Sequence, residues 1–159
     1  MTAPLPSQTI TGTTAADIRS TTPGVAALVE TFQAGDTITL NNDGDYALGG
    51  DGADVIVIGG TASVSLANSV VAGYGADTIS INSAAASIAA VGFSVAANQG
   101  NDFIAFGSAG GQGYVFDSAF VGGGLNNDTI LISSAVTQAI NAQIKGGDHA
   151  DSILLTSSF

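Results

Sequence analysis

Asp54-Val55-Ile56-Val57-Ile58 reads as a strand with Ile56 and Ile58 on one face, because successive side chains of a strand point to opposite sides. The same phrase, an Asp followed two residues later by Ile and four residues later by a large apolar residue, also starts at Asp36, Asp77, Asp102, Asp128 and Asp151. It generates two inward columns. One is Ile38, Ile56, Ile79, Ile104, Ile130 and Ile153; the other is Leu40, Ile58, Ile81, Phe106, Ile132 and Leu155. Successive Asp residues lie 18, 23, 25, 26 and 23 residues apart, too long for hairpins and suited to one repeat per coil of a solenoid. The expected fold is therefore all-β, a right-handed parallel β-helix or β-roll solenoid of about six coils.

A facing strand is supplied by Ala47, Val70, Val95, Val121 and Ile144, each seven residues before an Asp of the phrase. Further apolar positions recur less regularly, at Leu66, Val91 and Ile140 with Asp117 interrupting, and at Val64 and Val115. Residues 1–33 lack the phrase. Pro4, Pro6 and a Ser/Thr-rich run predict an extended N-terminal arm over 1–21, free in solvent or docked on a partner. Thr22 as N-cap, Pro23 at the first helical position and the stripe Val25, Leu28, Val29 and Phe32 predict a short capping helix over 22–33. The solenoid is assigned to 34–159.

A chain of 159 residues fits one domain and buries roughly 70% of its unfolded surface. With 45% hydrophobic and only 9% charged residues it is not a disordered composition. Thirteen acidic residues against Arg19 and Lys145 give a net charge of −11, which disfavours nucleic acid and anionic membranes and favours cations. The absence of Cys removes disulfides and thiolate metal sites. No basic and apolar leader opens the sequence, and the stretch from Ala84 to Ala97 falls short of the ~20 apolar residues of a spanning helix, so no membrane insertion is expected.

Before each inward strand lies a Gly- and Asp-rich turn, best developed as Gly49-Gly50-Asp51-Gly52-Ala53-Asp54-Val55-Ile56-Val57. This stretch resembles, at every position, the Gly-Gly-x-Gly-x-Asp nonapeptide of the hemolysin-type, RTX β-roll family. Other copies depart from it: Ala72, Ala97 and Asn98 replace turn glycines, and Asn126 and His149 stand at the third. Asp36, Asp45 and Asp54 keep the nine-residue phase of tandem nonapeptides, with Asp43 at a glycine position between them. The resemblance covers about 31–57 as a roll and 72–155 as one nonapeptide per enlarged coil. It implies calcium, held by hard oxygen ligands among Asp36, Asp43, Asp45, Asp51, Asp54, Asp77, Asp102, Asp128 and Asp151, with turn carbonyls presented by glycine. Stacked about 4.8 Å apart, such carboxylates repel by roughly 3 kcal/mol at an effective dielectric near 20, which a cation between coils would relieve. Alternatively, each Asp accepts hydrogen bonds from turn amides and holds no metal. His149 has no second His to work with and reads as a loop residue.

No nucleophile elbow, phosphate-cradling loop or Ser/His/Asp constellation is present, so no catalytic residue and no enzyme activity are expected. Only five residues follow the last nonapeptide, so the export segment that RTX proteins carry after their repeats is not expected. Repeats of this kind also resemble those of bacteriophage virion structural proteins, which need no export. The expected role is a virion surface or capsid-decorating protein; the alternative is a calcium-dependent secreted surface-layer or adhesin module. The expected partner is a virion shell protein or further copies of the chain. Ile153, Leu154, Leu155 and Phe159, on a terminal strand without a polar cap, are the expected contact residues.

Overall fold

A computed structural model describes residues 8–42, 44–60, 64–65, 68–83, 88–108, 114–132 and 136–156. They form a parallel β-solenoid, with no helix among them. One seven-stranded sheet carries the Ile columns, in the order β18 (Ser152–Leu155), β15 (Thr129–Ile132), β12 (Phe103–Ser108), β9 (Thr78–Ser83), β6 (Val55–Gly60), β4 (Thr37–Leu40) and β2 (Ile18–Ser20). A second seven-stranded sheet faces it, in the order β1 (Gln8–Thr11), β3 (Ala27–Glu30), β5 (Tyr46–Asp51), β8 (Ser69–Tyr74), β11 (Ser94–Gln99), β14 (Phe120–Leu125) and β17 (Gln143–Asp148). A third, of four strands, is made by β16 (Val136–Ile140), β13 (Tyr114–Asp117), β10 (Ile88–Val91) and β7 (Val64–Ser65).

The repeat phrase sets the register. Ile38, Ile56, Ile79, Ile104, Ile130 and Ile153 pair in sequence across the Ile sheet, and Leu40, Ile58, Ile81, Phe106, Ile132 and Leu155 pair beside them. Val29, Ala47, Val70, Val95, Val121 and Ile144 align in the facing sheet. All of these except Ile144, Ile153 and Leu155 are buried in one core. The third sheet begins where the repeat lengthens from 18 to 23 residues, so the short coil is two-sided and the longer ones have a third wall. Phe106 fills the widened interior, met edge-on by Phe93 at 6.0 Å and Phe116 at 5.3 Å between centroids.

The N-terminal third corrects the reading from sequence. The helix expected over 22–33 does not form. Pro23 lies in a turn closed by the Val25 N–H on the Thr22 carbonyl, and Ala27–Glu30 then alternates inward and outward as β3, between β1 and β5. Val25 and Phe32, counted toward an apolar stripe, are exposed. Residues 8–11 and 18–20, expected in an extended arm, are strands of the stack; residues 1–7 lie outside the described residues. In the third sheet Val91, Asp117 and Ile140 do share a row, but Val64 aligns with Ile88 and Tyr114, not with Val115. Leu66, Asp43 and Phe159 also lie outside the described residues.

Candidate functional site: a buried aspartate ladder

Each Asp of the repeat stands at the corner where the Gly-rich turn enters the Ile sheet. Its carbonyl accepts the N–H of the first strand residue of the next coil, as in Asp54 O with Thr78 N–H at 2.8 Å. At this corner the Asp N–H points along the stack, and the carboxylate of the next coil meets it. The N–H groups of Asp17, Asp36, Asp54 and Asp77 donate to Oδ1 of Asp36, Asp54, Asp77 and Asp102, at 2.7, 2.8, 2.8 and 2.8 Å. Those of Asp102 and Asp128 donate to Oδ1 of Asp128 and Asp151, both at 2.9 Å. The acidic residue is thus a rung that continues the backbone ladder around a bend, and an ionised acceptor makes that bond shorter and stronger than a neutral one.

The second oxygen has a different situation. Oδ2 of Asp36, Asp54, Asp77, Asp102 and Asp128 is buried and has no hydrogen-bond partner. In two coils it sits against a glycine: a Cβ at Gly49 would collide with Asp54 Oδ2 and the Ala72 carbonyl oxygen, and one at Gly123 with Asp128 Oδ2 and the Gly146 carbonyl oxygen. Two acceptor oxygens therefore border the space beside the glycine, and neither Oδ2 has a donor. Burial, reinforced by neighbouring ladder carboxylates, pushes Asp77 up to about 7 and Asp102 up to about 6 against their N–H bonds. Burial raises Asp54 and Asp128 in the same direction.

The third glycine of the motif has a separate cause. Its column, Gly52, Gly75 and Gly100, has φ of +139°, +131° and +142°, and a Cβ on any of them would strike a carbonyl of the preceding coil. Ala34, Asn126 and His149 occupy the same position at the ends of the stack with φ of 73°, 83° and 91°. The placement of His149 is thus a turn position, where its Nδ1 accepts the Asn126 N–H at 3.2 Å.

Of the other acidic candidates, Asp45 lies at a second corner. It is saturated by the Ala27 N–H at 2.8 Å on Oδ1, and by the Thr21 hydroxyl at 2.7 Å and the Asn42 N–H at 2.9 Å on Oδ2. Asp51 is exposed on the outside of its turn, and Asp151 is half-buried at the last rung. Among the described residues no three Asp, Glu, His or Cys side chains gather into a set that would hold a metal ion. One oxygen of each ladder carboxylate is already taken by an N–H, which leaves Oδ2 and the nearby turn carbonyls as the oxygens open to a cation.

Comparison with known protein families, curated proteins and solved structures finds no match. The chemistry of the ladder is thus read from this chain alone. A second column, not singled out from sequence, runs beside it: the Asn127 N–H donates to Asn101 Oδ1, and the Ala150 N–H to Asn127 Oδ1, both at 3.0 Å. Its signal is the Asn-Asp dipeptide at 101–102 and again at 127–128.

Proposed function

We propose that the chain is a non-enzymatic structural protein that works in an assembled state, as a virion surface or capsid-decorating protein. The observation that carries this reading is the state of the last coil. Ile153 and Leu155 continue columns that are wholly buried in the preceding coils, yet they are 45% and 61% exposed, and Leu154 beside them is 51% exposed. They sit on β18, an edge strand whose outer N–H and C=O groups are free to template pairing. A further coil of similar cross-section, of continuing chain, of another copy or of a shell protein, would bury them, and the reading proposed here takes the last two.

Support also comes from where the charge lies. Among the described residues six acidic side chains are buried: Asp36, Asp45, Asp54, Asp77, Asp102 and Asp128. The outer positions of the Ile sheet from β4 to β18 are Thr, Ser, Asn, Gly, Val, Ala, Phe and Leu, without a charge, so like-charge repulsion does not oppose close packing there. The test is the molar mass by light scattering after gel filtration, with and without a shell extract. Self-assembly through the last coil raises the mass above 15.5 kDa, and Ile153→Asp with Leu155→Asp returns it to that value. If the double variant assembles or docks like the wild type, the last coil is not the contact.

The alternative, a secreted surface-layer or adhesin module, is favoured by the complete nonapeptide at 49–57. It requires folding to depend on calcium, and a chain that melts at the same temperature in calcium and in chelator removes it.

A further inference from the structure

We infer that the outer face of the Gly-rich turn is a binding groove for a neutral oligosaccharide. A trough of about 450 Å³ crosses the ends of β8, β11, β14 and β17, four neighbouring strands, which gives it a length of about 14 Å. A smaller depression of about 190 Å³ adjoins it on the facing-sheet side and shares Asn98, Gly124 and Gly147 with it. The inference goes beyond the structural role proposed above and does not depend on it.

The groove exists because its floor is bare. Gly73, Gly124 and Gly147 form one row of the stack, and a Cβ on any of them would strike the carbonyl of the coil before, so no side chain stands there. Asn98 is the exception in that row. Its φ of +81° is one that Asn tolerates, and it places a carboxamide in the middle of the floor. Around it the walls combine two kinds of group. Tyr74, 59% exposed, offers a ring at one end, and the Phe120 ring lies over Gly122 in the adjoining depression. Gln99 and Asp148 supply an amide and a carboxylate, and Lys145 an ammonium.

Flat apolar ring faces set among carboxamides and one carboxylate suit a ligand that is apolar on its faces and rich in hydroxyls at its edges, and that describes a pyranose. Asp148 and Lys145 offset one another, so the groove does not select an anion. An extended peptide is disfavoured because the trough crosses the strands: β8, β11 and β14 are interior to the facing sheet with their backbone groups paired, and β17, its edge strand, meets the trough only at its end.

The experiment is calorimetric titration of the full chain with hexasaccharides of the cello-, malto-, laminari- and chito- series, with oligogalacturonate and a proline-rich peptide as charged and peptidic probes. The expected result is binding of at least one neutral series with Kd below about 1 mM, tightening with oligomer length until the trough is filled. Tyr74→Ala and Gln99→Ala weaken it roughly tenfold or more without changing the melting temperature, since both side chains are exposed. Asn98→Gly keeps the backbone conformation and removes only the carboxamide, so it too weakens binding, while Thr129→Ala on the opposite sheet does not. The inference is overturned if no neutral series binds, if Tyr74→Ala and Asn98→Gly bind as the wild type does, or if only the anionic or peptide probe binds.

Discussion

The two ends of the stack are finished differently. In β2 the position aligned with Ile38 is Arg19, half-buried, its guanidinium 2.7 Å from Asp17. Asp17 in turn accepts the Thr13 hydroxyl at 2.9 Å and does not pass its carboxylate along the ladder. In β18 the same column is Ile153, and the Asp column ends on Asp151, which still serves as an acceptor to Asp128. One end has replaced the core column by an ion pair suited to water; the other keeps the repeat unchanged. Polar replacement is how solenoids close a terminal coil, and among the described residues the first coil shows it and the last does not.

The largest expected effect sharpens this contrast within one column. Ile79→Ala, in the middle of the stack, is expected to lower unfolding stability by roughly 2–5 kcal/mol, whereas Ile153→Ala costs less than about 1 kcal/mol in the isolated chain. Urea titrations of the two variants measure the gap, and equal losses would mean that the last coil is already covered. Next comes the ladder itself. Asp77→Ala leaves the Asp54 N–H buried without an acceptor and is expected to destabilise by about 1–3 kcal/mol, while Asp151→Ala, at the half-buried last rung, does less.

A smaller effect separates the charge of a rung from its hydrogen bond. Asp77→Asn keeps an acceptor for the Asp54 N–H and removes the buried charge, so it should raise the melting temperature at pH 8 and have little effect at pH 5. The sign follows from linkage. The folded chain holds Asp77 and Asp102 protonated up to about 7 and 6, while the unfolded chain releases those protons near 3.8. Folding therefore takes up protons between these values, and stability falls as pH rises from about 4 through 7. Asp17, held below the ordinary range by the Thr13 N–H and hydroxyl and by Arg19, works in the opposite sense, its contribution disappearing only in stronger acid. The smallest effect concerns Asn68, buried with neither amide atom hydrogen-bonded. Asn68→Ala is expected to be neutral or stabilising by about 1 kcal/mol in the same titrations, since the later strands place Phe93 and Ala119 at this corner.

The stack was legible from sequence wherever one periodicity acted alone. The Ile and Leu columns, the facing Val column and the inward direction of both follow from residue spacing, and the coordinates keep them in register. Residues 22–33 misled because Val25, Leu28, Val29 and Phe32 satisfy a helical stripe, while Ala27 and Val29 also satisfy a strand. Pairing with β1 and β5 and the Asp45 bond to the Ala27 N–H favour the strand. The first layer was hidden because Ile10 stands seven residues before Asp17 as expected, but Arg19 replaces the Ile that would have announced it. In the third sheet a register shift between Tyr114 and Val115 offsets β16 from β13. At the Asp column the residue type was legible and its partner was not. A carboxylate repeating once per coil serves a cation between turns or an N–H along the stack equally well, and in the fold Oδ1 takes the N–H while Oδ2 of the buried rungs has no hydrogen-bond partner.

The central claim we propose is that the Asp column holds the stack as a buried, partly protonated hydrogen-bond ladder whose folding needs no calcium. Its most direct test is thermal unfolding of the wild type and Asp77→Asn at pH 5 and pH 8, each in strong chelator and in millimolar calcium. The account predicts a cooperatively folded chain in chelator, a higher melting temperature at pH 5 than at pH 8, a smaller difference in Asp77→Asn, and no change with calcium. A chain that is unfolded in chelator and restored by calcium, or that gains stability as the pH rises from 5 to 8, would contradict it.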